Sequence, residues 1–357
     1  MQKKKLLAGA EGLSVSILSH PYSDRSFFAL VPVSPCCSRN LLLTNIITIK
    51  LYYLREGSIM YDIIIIGAGP AGISAGIYAI SRGKKTLVME QAQVGGIIGK
   101  VSTVTHYTAL QVNETGATFA ARMKEQALNA GVEIVYDTVT NVELTNDVKT
   151  IHTSKGAYQA RRVILANGGS PRKLGIPGEV ELAGKGMGLN APRDGASYTG
   201  KNIYVVGGAD GAVKEALYLA SFANKLTIIH FENQLGCIPE FSQKVAAAGN
   251  ITLRLGSRLH GAYGQDQVER LEISSEQNGT IETIDDPGCG IFVYAGVAPN
   301  TQMYTQLDLQ DGYIVTNEKM ETSIPGVYAA GDIRVKQVRQ VATAVSDGAI
   351  AAINASL

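Results

Sequence analysis

The chain has 357 residues, 45% of them hydrophobic and 18% charged, and a formal net charge of +1. That length predicts about two domains, and so balanced a charge gives no pull toward nucleic acid or a membrane. The 39 glycines suit an α/β protein with many tight turns, and only four cysteines point to a reducing cytoplasm rather than a disulfide-stapled secreted domain.

Residues 1–59 mix Lys, Ser, Pro and Cys with no sustained period of 2 or 3.6, so no regular structure is expected there. Lys3, Lys4 and Lys5 before Leu6 and Leu7 begin like a signal peptide, but Glu11 interrupts the apolar stretch and no cleavage site follows. The apolar run 41–54 is too short to cross a membrane and carries Lys50. Arg55-Glu56-Gly57 can be encoded by a purine-rich ribosome-binding sequence. Translation is therefore expected to begin at Met60, with 1–59 either a start-site artefact or a disordered extension.

The segment 61–72, YDIIIIGAGPAG, carries the strongest signal. Its isoleucines predict a buried strand; Gly67 allows a tight turn, Gly69 lets the backbone approach a pyrophosphate, and Gly72 lets the following helix pack on the strand. The N-terminus of that helix offers free N–H groups and a positive dipole end to phosphate. Glu90 closes the apolar segment 86–89, about 20 residues on, where a carboxylate accepts hydrogen bonds from a ribose 2′-OH. A helical stretch follows at 116–130, then a strand at 133–136, a hairpin region at 141–145 with 150–153, and an apolar strand at 162–166. Pro171 and Pro177 mark a linker.

The strand 202–206 then repeats the opening pattern, running into Gly207-Gly208-Ala209-Asp210-Gly211-Ala212 and a helical stretch at 213–223. The next strand is 226–230, and Glu232 stands where the ribose-binding acid would be. Two dinucleotide folds imply two nucleotides, the arrangement needed to pass a hydride from a nicotinamide to a flavin. This second copy is altered: Ala209 replaces a glycine, and Asp210 brings a negative charge to the helix end. It reads either as an NADH site or as a degenerate scaffold. A buried strand at 291–295 and the turn, strand and Gly331-Asp332 terminus of 322–332 return to the first domain. The fold expected is α/β, with two Rossmann-like, doubly wound, three-layer nucleotide-binding domains, the second inserted into the first. The FAD-binding domain spans 60–173 and 292–357, and the NAD(P)-binding-like insert spans 174–291. Cys36 and Cys37 are adjacent, Cys237 and Cys289 stand alone, and no spacing suggests a metal site.

GAGPAG at 67–72, Gly95-Gly96, ANGGS at 166–170, GKG at 184–186, Asp194-Gly195, EALYLA at 215–220, PN at 299–300, AAGD at 329–332 and RQV at 339–341 carry a resemblance. From Met60 to about residue 352 the chain resembles the thioredoxin reductase-like branch, class II, of the FAD-dependent pyridine nucleotide disulfide oxidoreductases. The resemblance implies that Gly67, Gly69, Pro70, Ala71 and Gly72 hold the FAD pyrophosphate and Glu90 the adenosine ribose. It also implies that Asp332, after Gly331, binds the ribityl or pyrophosphate region, and that Arg339, Gln340 and Val341 approach the isoalloxazine ring. Gln91, Gly95, Gly96, Ile97, Asn167 and Gly168 complete the cofactor set that it implies. A homodimer whose two domains rotate is implied as well.

The chain departs from this pattern at the chemistry. Where the family carries its redox C-x-x-C, the residues are Asn190-Ala191-Pro192-Arg193, and neither Asn190 nor Arg193 can attack or resolve a disulfide. NADPH-dependent relatives follow the strand's histidine with paired arginines, whereas His230 is followed by Phe231 and Glu232; a carboxylate there repels a 2′-phosphate, so NADPH is disfavoured and NADH preferred. Ile97 stands at a usually polar position. His106 is a weak candidate for proton donation to reduced flavin; a packing role is the alternative. Three functions stay open. The first is an FAD-dependent oxidoreductase without a dithiol centre, fed by NADH or a protein donor such as ferredoxin. The second is an FAD-binding redox sensor or scaffold without turnover. The third is a thioredoxin reductase with a thioredoxin-like partner.

Overall fold

The computed structural model describes residues 4–6, 15–20, 23–30, 60–188 and 190–357. The chain divides into two units, Met1–Ser58 and Ile59–Leu357. In the first, β1 (Lys4–Leu6), β2 (Val15–His20) and β3 (Ser23–Leu30) form an antiparallel sheet in that order. Regular structure is thus present where the side-chain pattern shows no period, because an antiparallel ladder is made by backbone N–H and C=O groups. Cys36, Cys37 and the apolar run 41–54 lie outside the described residues.

The second unit begins with β4 (Met60–Ile66), whose Ile63 and Ile65 enter one core while Tyr61, Ile64 and Ile66 enter another. A strand buried on both faces is one covered by a layer on each side. Then come α1 (Pro70–Ser81), β5 (Thr86–Glu90), α2 (Gly116–Asn129), β6 (Glu133–Tyr136), β7 (Val139–Glu143), β8 (Lys149–Thr153) and β9 (Ala157–Leu165). The sheet order is β6-β5-β4-β9-β8-β7. Thr115 caps α2 through reciprocal bonds with Thr118.

A connector, β10 (Gly169–Pro171), leads into the inserted domain: β11 (Met187–Gly188), α3 (Ala191–Asp194), β12 (Asn202–Val206), α4 (Asp210–Leu219), β13 (Lys225–Ile229), α5 (Pro239–Ala247) and β14 (Ile251–Arg254). An antiparallel sheet, β15 (Ser257–Tyr263), β16 (Arg270–Ser275) and β17 (Ile281–Asp285), precedes β18 (Gly290–Val293). The parallel sheet runs β11-β18-β12-β13-β14. Its helices α4 and α5 cover one face, and the antiparallel sheet packs on the other. A boundary at 291/292 would cut β18; its ladder to β12 runs through Phe292 and Val293, so the return crossing falls after Val293. There β19 (Val297–Pro299) pairs antiparallel with β10, and the two crossings lie side by side.

After the short hairpin of β20 (Leu309–Gln310) and β21 (Tyr313–Ile314), β22 (Val327–Ala329) rejoins the first sheet. It pairs with residues 163–165 of β9, next to the stretch 157–160 that β8 occupies. The final helix, α6 (Val341–Ala355), crosses α1 so closely that a Cβ on Gly348 would stand 2.1 Å from the Ala71 carbonyl oxygen. Among the described residues no helix is long and apolar enough to cross a membrane.

Candidate functional site

The strand β4 delivers the chain into a turn that only glycine fits. Gly67 has φ +103°, and a Cβ on it would lie 2.5 Å from the Ala166 carbonyl oxygen. A Cβ on Gly72 would fall 1.8 Å from the Gly67 oxygen, which is why the helix can seat directly on the turn. Gly69 differs: nothing stands within 4 Å of its Cβ position. It is the N-cap of α1 and makes no side-chain cap bond, with Pro70 opening the helix. Pro70 has no N–H to satisfy, so the first-turn amides without an intrahelical acceptor are those of Ala71 and Gly72, next to the open space over Gly69 that suits a pyrophosphate.

At the end of β5, Glu90 accepts from the amides of Ala68 and Ala92, both at 3.0 Å. These bonds hold its carboxylate at the lip of the turn, with Gln91 exposed beside it. Gly95 donates to the Ala68 carbonyl at 2.9 Å, and a Cβ on Gly96 would come 3.4 Å from the Gly69 Cα. The Gly95-Gly96 turn therefore lies against the glycine fingerprint, and Ile97 follows with 40% of its surface exposed. Gly168 has φ +54°, and the Asn167 side chain is bonded to a distant segment. It donates to the Asn300 carbonyl at 3.1 Å and accepts from the buried Tyr304 hydroxyl at 2.9 Å, a structural use that pairwise motif reading could not anticipate.

From the far end of the chain, Gly331 (φ +80°) would press a Cβ to 2.9 Å from that of Ala71. The next residue, Asp332, lies in a short 3₁₀ turn and caps no helix. Its Oδ1 is buried without a protein partner, and burial pushes its carboxyl up against the opposing pull of Lys336 and Arg339. An orphaned acceptor beside an open glycine cradle fits a hydroxyl-rich ligand such as the ribityl-pyrophosphate of FAD. Arg339 stacks its guanidinium 4.1 Å over the Tyr313 ring and leaves Nε unpartnered. Gln340 is the N-cap and Val341 the first residue of α6. Motif reading missed Asp347. It accepts from the Gly331 amide at 3.1 Å and from Lys336 at 2.8 Å, with Arg334 at 3.3 Å. A lone carboxylate inside an otherwise apolar helix was the available signal.

The second copy repeats the backbone and alters the side chains. Gly207 has φ +131°, with its Cβ position 2.5 Å from the Tyr294 oxygen. Gly236 donates to the Gly208 carbonyl at 3.0 Å, the counterpart of the Gly95–Ala68 bond. Nothing crowds Gly211, and Ala212 is buried beneath the turn. Asp210 does not point its charge at its own helix end; its Oδ1 accepts from the Ile238 amide at 2.8 Å. The loop returning from β13 supplies that donor, and a reading of the local sequence has no access to it. His230, buried against Gly208, pairs with the exposed Glu232 at 3.2 Å. His106 faces α5, 3.8 Å from Glu240 and with its ring centroid 6.0 Å from that of Phe241, in keeping with the packing alternative.

A split dinucleotide cradle carrying a second such fold between its halves defines a flavin-dependent oxidoreductase of thioredoxin reductase-like architecture. The chain belongs to the pyridine nucleotide-disulphide oxidoreductase family, whose profile matches residues 61–348. It is 39% identical over 302 residues to a thioredoxin reductase of Peptoclostridium acidaminophilum, covering 83% of this chain and 96% of that one. Against a thioredoxin reductase of Bacillus subtilis the identity is 36% over 301 residues, covering 82% and 93%. The crystal structure of Lactococcus lactis thioredoxin reductase superposes with a TM-score of 0.79 at 34% identity, covering 83% and 97%. FAD and a pyridine nucleotide are the cofactors this family membership supports.

Proposed function

We propose that the protein is an FAD-dependent oxidoreductase that links an electron donor to an acceptor without a dithiol centre. The observation that carries this reading is the state of residues 190 and 193. Asn190 accepts from the Arg193 amide at 3.0 Å as the N-cap of α3, and Arg193 is clamped onto Asp194 at 2.7 and 3.0 Å. The cysteines among the described residues do not replace them. Cys289 is buried, its thiol pushed up to about 12 by that burial and by Asp286, and burial also raises the half-buried Cys237. A thiol held neutral neither attacks nor resolves a disulfide.

FAD, when bound, supplies the two-electron chemistry; the chain supplies position and charge. Gly67, Gly69 and Gly72 shape the phosphate turn, Glu90 and Asp332 offer carboxylates to hydroxyl groups, and α6 points its positive end from Val341. For the donor, Glu232 favours the unphosphorylated ribose of NADH over NADPH. Arg258, stacked 4.6 Å over Phe231, gives its Nε to Glu276 at 2.8 Å. A protein donor such as ferredoxin serves the same reaction. A homodimer working in the cytoplasm accompanies this reading.

Anaerobic stopped-flow mixing with NADH, NADPH and reduced ferredoxin, each alone, tests the proposal. NADH or ferredoxin is expected to bleach the flavin at least tenfold faster than NADPH; no bleaching by any donor overturns it. The engagement of Asp210 and Glu232 within the protein favours a second reading, an FAD-binding sensor or scaffold, and rapid reoxidation by a defined acceptor removes that alternative. The relatives named thioredoxin reductase supply a third, and turnover of thioredoxin would overturn the dithiol-free mechanism.

A further inference from the structure

Three side chains of the inserted domain converge on Lys100, Ser102 and Thr103 of the flavin domain. Glu215, buried in α4, accepts from the Ser102 amide at 3.0 Å and the Ser102 hydroxyl at 3.1 Å. Its neighbour Lys214 donates to the Thr103 carbonyl at 2.7 Å. Asn190 donates to the Lys100 carbonyl at 2.5 Å. The segment they grip follows closely on Gly95-Gly96, which rests on the FAD fingerprint.

We propose that Asn190, Lys214 and Glu215 form an interdomain latch holding the inserted domain at one fixed angle on the flavin domain. The residue standing at the first dithiol position is part of the tether. Asn190 has no group to spare: its side-chain oxygen caps α3, its side-chain nitrogen reaches Lys100, and its backbone amide donates to Asp194 at 3.0 Å. The Glu215 side chain is 3% exposed and that of Lys214 15%, so salt screens these bonds far less than surface pairs. The paired connectors β10 and β19 would by themselves allow a hinge. The latch closes the far side of that hinge and opposes the rotation that the family resemblance implies.

The FAD-loaded full chain and an Asn190→Ala/Lys214→Ala/Glu215→Ala variant are compared by amide exchange and small-angle scattering, with the flavin absorption band as the folding control. Neither readout depends on an electron donor, so the latch and the proposed function fail separately. Exchange over residues 100–103 is expected to be at least tenfold faster in the variant, and the wild-type scattering to fit one domain arrangement. Glu215→Gln keeps an oxygen acceptor for the Ser102 amide and is expected to exchange within twofold of wild type. If the triple variant loses its flavin, Asn190→Ala alone is expected to raise exchange over 100–103 severalfold. Unchanged exchange over 100–103 in the triple variant, or in Asn190→Ala where the triple variant loses its flavin, or wild-type scattering that requires two arrangements, overturns the latch.

Discussion

Gly67 and Gly69 stand two residues apart and do different work. A Cβ at Gly67 meets backbone at 2.5 Å in a left-handed conformation, whereas one at Gly69 meets no protein atom within 4 Å. Gly67→Ala is therefore expected to destabilise the apoprotein by about 1–3 kcal/mol. Gly69→Ala is expected to leave the apo melting temperature unchanged while weakening FAD binding at least tenfold. Thermal melts of apoprotein and FAD titrations separate the two, and equal losses of stability would refute the assignment. Cys289 makes a pH-dependent statement. Its folded-state thiol is raised from 9.0 to about 12, so between those values the folded chain keeps a proton that the unfolded chain gives up. Its contribution is intact below pH 9 and is lost as pH climbs toward 12, by about tenfold in the folding constant per pH unit. Tyr61, raised from 10.0 to about 12, adds to the upper part of that window. Urea midpoints from pH 7 to 11 are expected to fall less steeply for Cys289→Ala than for wild type.

At the scale of elements, the contact of α1 with α6 joins the two ends of the split flavin domain. It depends on a glycine: a Cβ on Gly348 would meet the Ala71 oxygen at 2.1 Å and the Ala75 amide nitrogen at 3.1 Å. Gly348→Ala forces the helices apart and is expected to cost about 1–3 kcal/mol, read as a lower urea midpoint with an unchanged slope. The elements that motifs announce, β4 with α1 and β12 with α4, were legible because glycines at fixed offsets follow apolar strands. The sheet of β15, β16 and β17 carried only short-range signals, the alternation of Leu271 and Ile273 with polar residues and an Asn278-Gly279 turn with φ +70° at Gly279, and no fingerprint announces it.

For the whole molecule, the decisive relation is between the two domains. The order of segments along the chain predicts that one nucleotide fold is inserted in the other, and β22 returning to β9 realises it. The turn of Gly67, Gly69 and Gly72, with Glu90 at its lip and Asp332 left with a buried unpartnered oxygen, is the proposed flavin cradle, and it was legible because its backbone chemistry is local or tied to a short terminal motif. Other features need partners distant in sequence. Asp210 finds the Ile238 amide, Asn167 finds Asn300 and Tyr304, and His106 finds α5. Glu215 reads as one more residue of a helix until Ser102, 113 positions away, meets it across the domain boundary. The two folds and their nesting can be read from neighbouring residues, because turns and strand periods are local. Where the carboxylates and amides of the second copy are spent, and which side chains bridge the domains, follows from packing, because those bonds join residues that the chain's course alone brings together.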